Sequence, residues 1–189
     1  MLKKYSKLAG YLLFAFLLPS NPLSSGSVFA DQNIDREPTI KAGLILKFSN
    51  FIRWPEFYSS TQGEEPLNIC LHGEEEFGDI FDYINDHGIL RREILVRRHV
   101  PLDRLGTCHL IYTSFLDKPE MDQLAGEIKN APTLVVTEAD EITHSLVAIN
   151  FKKVNNRMHF EINRSAFERS GIMVSSELLN LALDVVRID

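Results

Sequence analysis

The chain has few cysteines and carries none of the strong catalytic sequence motifs. Its 189 residues include two cysteines, Cys70 and Cys108, which lack the C-x-x-C spacing of thiol redox enzymes. There is no G-x-S-x-G elbow, Walker loop, G-x-G-x-x-G or H-E-x-x-H. The six histidines are scattered, without the spacing of a compact metal site. We therefore predict no enzyme activity, no metal site and no cofactor.

Long apolar runs are also missing. The apolar stretch at residues 8–18 has about 11 positions, fewer than the roughly 20 that a transmembrane helix needs. Lysines precede this stretch, and prolines and the sequence Ser27-Val28-Phe29-Ala30 follow it, as in an export signal. We predict a signal peptide at residues 1–30, cleaved after Ala30, and no membrane insertion of the mature protein. An uncleaved membrane anchor is the alternative.

Basic residues are in the minority after the leader. Removal of residues 1–30 takes away three lysines and no acidic residue, so the formal net charge falls from −6 to −9. Binding to nucleic acids or to anionic lipid headgroups needs clustered lysine and arginine. The strongest arginine cluster, at residues 91–98, alternates with apolar residues and is typical of a solvated strand edge. We therefore expect neither nucleic acid nor a membrane surface as a partner.

Predicted strands and helices alternate through most of the remaining chain. The pattern of apolar residues predicts helices at 39–53, 75–85 and 118–129, and strands at 67–71, 94–96, 108–112 and 133–137. We place the end of the first helix near Arg53, because Pro55 disfavours a helical conformation at Trp54. Strands that alternate with helices indicate a parallel sheet with helices on its faces.

The last part of the chain has a different pattern. Two predicted strands, 146–151 and 157–163, are separated by a turn-like segment that contains two asparagines, which indicates a β-hairpin. A short helix that ends at Gly171 and a final helix at 176–187 follow. We predict a three-layer α/β sandwich, with a mainly parallel sheet, a C-terminal antiparallel β-hairpin and helices on both faces. It forms one domain, 39–189, after a flexible segment at 31–38.

The two cysteines favour a disulfide, because their number is even and the chain is predicted to be exported. Cys70 lies in the first predicted strand and Cys108 begins the third, and these strands are neighbours in a 2-1-3 order. Closing a loop of about 39 residues would stabilise the fold by roughly 4 kcal/mol on the chain-entropy estimate. We expect a structural bridge, and a redox-active pair is the alternative.

An ordered set of short motifs resembles the YfiR family of bacterial periplasmic proteins. The resemblance extends over residues 41–187. The motifs are, in chain order, Lys41-Ala42, Phe48, Phe51, Trp54-Pro55, Cys108–Tyr112, Phe160–Asn163 and Ser175–Ala182. The chain departs from the family pattern in two places. It lacks the second cysteine pair of some members, and Thr143-His144-Ser145 stands where a Gly-Gly often precedes the fifth strand.

The resemblance implies a regulator without catalysis. Such a protein binds the periplasmic sensor domain of an inner-membrane diguanylate cyclase and represses cyclic di-GMP synthesis, and its release promotes biofilm formation. The resemblance also implies a bridge between Cys70 and Cys108, a homodimer and redox-sensitive repression. The missing cysteine pair argues against a switch with two disulfides.

Candidate contact residues for such a partner are polar or aromatic residues on surfaces predicted to be exposed. They are Arg53, Trp54, Arg157, His159, Glu161 and Asn163. For each, an ordinary solvated side chain is the alternative.

Two other classes of function stay open. A small-ligand module would bind a metabolite at the carboxyl edge of the sheet and report it to a membrane receptor such as a histidine kinase. The residues expected at that edge are His72, Thr113, Ser114 and Glu138. An exported hydrolase would need serine, histidine and aspartate side chains that meet only in the fold.

The export signal gives the first testable prediction. When the chain is expressed with its leader in a Gram-negative host, we expect the mature protein to begin at Asp31 and to appear in the periplasmic fraction. Mass spectrometry of the intact protein measures the N-terminus. A protein that keeps residues 1–30 and fractionates with membranes would support the anchor instead.

Overall fold

The structure is a computed structural model that describes residues 36–55, 66–73, 77–87, 93–114, 116–129 and 131–188. The predicted signal peptide and its cleavage site lie outside the described residues. So do Arg91, Arg92 and the first residues of the helix predicted at 75–85.

The described residues form helices and strands in the alternating order that the sequence predicts. They are α1 (Arg36–Phe48), β1 (Ile52–Arg53), β2 (Leu67–His72), α2 (Ile80–Asp86), β3 (Ile94–Arg97), a 3-10 helix (Leu102–Thr107), β4 (Leu110–Thr113), α3 (Lys118–Glu127), β5 (Leu134–Glu138), β6 (Val147–Val154), β7 (Arg157–Asn163), α4 (Arg164–Ser170), β8 (Met173–Val174), α5 (Ser176–Leu181) and β9 (Asp184–Val186).

The main sheet has seven strands in the order β3-β2-β4-β5-β6-β7-β9. The strands from β3 to β6 are parallel neighbours, β6 and β7 form the antiparallel hairpin, and β9 joins β7 in parallel. The first predicted strand thus lies between the second and the third, so the 2-1-3 order is confirmed. The predicted mainly parallel sheet with a C-terminal hairpin is confirmed as well.

Two apolar layers cover the sheet, because alternate residues of each strand point to opposite faces. On one face, here called the α1 face, α1 and α2 pack against strand residues through a cluster of aromatic rings. These rings are Phe48, Phe77, Phe81, Tyr112, Phe151 and Phe160. On the opposite α3 face, the 3-10 helix and α3 pack through Leu105, Met121 and Leu124. The predicted three-layer sandwich is therefore confirmed.

The hairpin turn is tighter than the segment 152–156 that the sequence suggests. Asn155 and Asn156 have φ of 49° and 59°, the left-handed conformation that a two-residue turn requires and that asparagine tolerates. Val154 therefore pairs directly with Arg157. Lys152 and Lys153 belong to β6 rather than to the turn.

The first helix is displaced toward the N-terminus from its predicted range. It begins at Arg36, so residues 36–38 of the segment predicted to be flexible are helical. Pro38 is compatible with this position because the first helical turn needs no backbone donor there. The helix ends at Phe48, and Ile52 and Arg53 instead pair with Val174 and Met173 of β8.

Two further helices are shorter than predicted. The second begins at Ile80, after a turn, rather than at residue 75. The last ends at Leu181 rather than at residue 187, because the chain turns there into an edge strand. The backbone amide of Leu183 donates to the Phe160 carbonyl at 2.8 Å, and Asp184–Val186 pair with β7. In the described part of the chain, none of the helices has both the length and the apolar character needed to span a bilayer.

The glycine after α4 has a left-handed backbone conformation, which leads to a prediction about stability. Gly171 has a φ of 68°, and a Cβ there would meet no atom closer than Pro55 Cγ at 3.8 Å. Gly171→Ala should therefore lower the free energy of unfolding by about 1 kcal/mol through backbone strain alone. Urea unfolding measures the change.

The same substitution in α3 is the matched control. Gly126 lies in the helix, and no atom lies within 4 Å of a Cβ built there. Gly126→Ala should raise the free energy of unfolding by about 0.5 kcal/mol, because alanine has the higher helix propensity. Shifts of the same sign in both variants would contradict this account.

Candidate functional site

A disulfide joins β2 to the start of β4. Cys70 lies within β2 and Cys108 two residues before β4, with their Cα atoms 5.9 Å apart. Both cysteines are buried on the α3 face, among residues that include Val100, Leu105 and Ile111. A reductant can reach this bridge only after local opening, because protein atoms cover both sulfurs.

Trp54 is anchored to His109, the residue that follows Cys108, and packs against the core of the α1 face. Its indole Nε1 donates to the backbone carbonyl of His109 at 3.3 Å, and the two rings meet edge to face with centroids 6.2 Å apart. His109 is itself fixed, because its Nδ1 accepts the Asn68 backbone amide at 2.9 Å. Half-buried Trp54 thus links the chain after β1 to the first residues of β2 and β4.

An exposed surface continues from Trp54 along the small β1–β8 ribbon. Arg53 is exposed and pairs with Met173, whose side chain is 60% exposed. We call Arg53, Trp54 and Met173 the ribbon surface. The sequence prediction included the first two and missed Met173, because a two-residue strand gives no periodic signal and its pairing partner is distant in the chain.

The predicted contact residues of the hairpin differ in exposure. Arg157 is exposed beside the turn, and half-buried His159 pairs with Lys152. Glu161 is only 15% exposed and accepts hydrogen bonds from Lys152 Nζ at 3.1 Å and from Asn150 Nδ2 at 3.3 Å. Arg157 and His159 therefore offer surface, whereas Glu161 is mostly engaged within the fold.

Asn163 corrects the sequence prediction of an exposed side chain, since it is fully buried. Its Oδ1 accepts the backbone amides of Ser165 at 3.2 Å and Ile188 at 3.0 Å, and its Nδ2 donates to the Ser145 carbonyl at 3.2 Å. Strand alternation placed Asn163 on a polar face. The residues before β6 and the C-terminal residues cover that face.

The structure does not bring the six predicted contact residues into one patch. Trp54 contacts the start of β4, whereas Arg157 and His159 lie beside the turn that follows the end of β6. Because β4, β5 and β6 are parallel, these positions are at opposite ends of the sheet. The candidates form a ribbon surface at the amino edge and a hairpin tip at the carboxyl edge.

An ion network around the buried Lys41 lies on the carboxyl side of the α1 face. Lys41 of α1 is 2% exposed, and its Nζ lies 2.6 Å from Glu138 Oε2 and 3.1 Å from Glu37 Oε1. The Tyr112 hydroxyl donates to the same Glu138 oxygen at 3.3 Å, and exposed Lys153 pairs with Glu37. The apolar periodicity that predicts the first helix gives no signal for a buried lysine, so the burial of Lys41 was missed.

This network makes the stability of the fold depend on pH. The hydrogen bond from Lys153, together with Lys41, holds the pKa of Glu37 below its ordinary value of 4.5, against the opposing effect of desolvation. A carboxyl whose pKa is lower in the folded state stabilises the fold above its unfolded pKa. That contribution is lost as the pH falls through the lower, folded value.

The residues predicted to line a ligand site at the carboxyl edge have other contacts. His72 Nδ1 lies 2.6 Å from the Val100 carbonyl oxygen, Thr113 is fully buried, and Glu138 belongs to the ion network. A cavity of about 320 Å³ lies between α3 and residues 137–147, and its lining includes none of the predicted ligand-site residues. Within the described ranges, no group of three or more histidine, cysteine or acidic side chains is arranged to hold a metal.

The structure is that of a three-layer α/β domain with one disulfide bridge. It has two exposed candidate contact surfaces and an ion network around the buried Lys41. A family model described as YfiR/HmsC-like matches residues 38–183. The chain belongs to this family. The match covers the main sheet except β9, and it includes the bridge and both candidate surfaces.

The ion network generates a prediction. Glu138→Gln should lower the free energy of unfolding at neutral pH by about 1–3 kcal/mol, because the buried Lys41 ammonium loses its nearest counter-charge. Glu168→Gln is the control, since Glu168 pairs with Arg187 at the surface and exposed pairs contribute little. Denaturant unfolding of both variants checks this, and equal effects would contradict the central role of the buried pair.

Proposed function

We propose that this protein is a periplasmic regulator that binds the periplasmic sensor domain of an inner-membrane diguanylate cyclase and represses cyclic di-GMP synthesis. The observation that carries the proposal is the YfiR/HmsC-like match over residues 38–183. At the level of the family, that match supports a regulatory role rather than catalysis. Export, cleavage after Ala30 and a homodimer are parts of the same proposal.

Repression requires that the regulator bind one conformation of its partner more tightly than another. A ligand shifts a two-state equilibrium only by the difference between its affinities for the two states. A difference of about 5.5 kcal/mol moves a partner from 1% to 99% in the inactive state. An interface of ordinary strength is therefore sufficient, and no chemical step on this protein is needed.

The ribbon surface is our candidate for the contact. Tryptophan, arginine and methionine are enriched in protein interfaces, and tryptophan and arginine dominate their energetic centres. Arg53, Trp54 and Met173 combine these three residue types on adjoining positions, with Trp54 fixed by its bond to the His109 carbonyl. Arg157 and His159 at the hairpin tip form a second, separate candidate surface.

The same geometry supports a proposal of redox sensitivity. Cys108 immediately precedes His109, whose carbonyl holds Trp54. Breaking the bridge removes the covalent link between β2 and the start of β4 and leaves the hydrogen bonds between Asn68 and His109, so the support under the ribbon surface weakens. We therefore propose that the oxidised protein is the form that binds the cyclase.

Calorimetric titration with the purified periplasmic domain of a co-encoded cyclase tests the proposal. We expect saturable binding by the oxidised protein. Arg53→Glu should weaken it at least tenfold, which corresponds to about 1.4 kcal/mol. Arg157→Glu, the same charge reversal at the hairpin tip, should leave the affinity within about twofold.

Three outcomes would count against parts of this proposal. No binding by well-folded oxidised protein would overturn the repressor role. A loss confined to Arg157→Glu would move the contact to the hairpin tip. Unchanged binding and melting temperature after the bridge has been broken, with free thiols confirmed by mass spectrometry, would overturn redox control.

A further inference from the structure

A cleft runs along the side of α3 that faces the residues before β6. A cavity of about 320 Å³ lies near the first turns of α3, and one of about 250 Å³ lies near its last turn. His144 lines both cavities, so its ring separates them. The ring orientation is fixed, because His144 Nδ1 accepts the Leu146 backbone amide at 3.1 Å.

The larger cavity is apolar on its buried side. Leu116 and Met121 contribute one wall, and Val147 and Ala139 contribute another. The hydroxyl of Thr137, the buried polar group in the lining, already donates to Asn150 Oδ1 at 3.0 Å. Because this hydroxyl is satisfied, the interior favours an apolar molecular body over a polar one.

The exposed rim is polar, and its lysine is already in an ion pair. Lys118 Nζ lies 2.8 Å from Asp122 Oδ2, and His144 Nε2 lies 3.4 Å from Asp122 Oδ1. A ligand carboxylate would have to compete with Asp122 for Lys118, and Glu141 at the same rim would repel it. A neutral hydroxyl or amide can instead bond to Glu141 or Thr143 without separating an existing ion pair.

We infer that this cavity binds a small, electrically neutral molecule with an apolar body of two fused rings and one hydroxyl or amide group. The size follows from comparison, since an engineered apolar cavity of about 150 Å³ accommodates benzene. Thr143 and His144 supply part of the lining, at the position where the chain departs from the Gly-Gly of the YfiR pattern. The site is independent of the proposed binding to a cyclase.

Two-dimensional NMR titration with 2-naphthol tests the inference on protein expressed with its leader and purified from the periplasm. We expect saturable shifts at the amides of Lys118, Met121, Thr137 and Ala139, with a Kd of about 0.1–1 mM for a ligand of this size. The anion 2-naphthoate should bind at least about fivefold more weakly, because it must compete with Asp122 for Lys118 and meets Glu141 at the rim.

Filling the cavity identifies the site. Ala139→Leu should weaken 2-naphthol binding at least about tenfold, because its side chain takes the space of one ring. Ala125→Leu, which fills the second cavity instead, should leave the Kd within about twofold. Melting temperatures and thiol counts show that both variants are folded and bridged. Thr143→Tyr, at the exposed rim, provides a second block if Ala139→Leu does not fold.

Each contrary result overturns a separate part of the inference. Absence of saturable shifts up to 2 mM 2-naphthol, about twice the upper limit expected for Kd, would exclude the site. Tighter binding of 2-naphthoate would exclude a neutral ligand, and loss of binding in Ala125→Leu alone would move the ligand to the second cavity. None of these results bears on cyclase binding, which the calorimetric titration measures separately.

Discussion

The pairing of β2 with β4, cross-linked by Cys70–Cys108, is the constraint on which the rest of the structure depends. Parallel neighbours cannot be joined by a tight turn, so the chain leaves β2, forms α2 and β3, and returns on the other side of β2. Closing that long loop costs chain entropy. The disulfide lowers this cost, because it already restricts the chain in the unfolded state. Once this pair is fixed, β3 and β5 extend the sheet on either side, and its two faces are defined for the helices.

The amino and carboxyl ends of the sheet then acquire different roles. At the amino end, Trp54 donates to the carbonyl of His109, the residue that follows Cys108, and belongs to the ribbon surface. At the carboxyl end, Lys41 joins α1 to Glu138 at the end of β5. Helix α1 is thus held to the sheet near its first turns by the ion pair of Lys41. The segment after α1 is held by the hydrogen bond of Trp54.

Sequence reasoning recovered the features that repeat along the chain. Alternating strands and helices, the 2-1-3 order and the asparagine hairpin all have local patterns, and they predicted the main sheet correctly. The strands β1, β8 and β9 have two or three residues each, too few for a period, and they form only through distant partners. The burial of Lys41 and Asn163 was missed for a related reason, because periodicity assigns a face but not what covers it.

Close packing beside the bridge favours the view that the conformational change in the proposed repression takes place in the partner. Ile128 and Thr133 lie in the segment that connects α3 to β5. This segment is held to the bridge, because the Thr133 hydroxyl donates to the Cys108 carbonyl at 2.8 Å. On the same face, α3 and the 3-10 helix are in such close contact that a Cβ at Gly106 would lie 2.9 Å from the Glu127 carbonyl oxygen. Coupling between sites needs an element with two arrangements, and close packing of this kind opposes a second one. The repression that we propose would therefore operate through occupancy of the partner, and the redox control that we propose would operate through the support that the bridge gives to the binding surface.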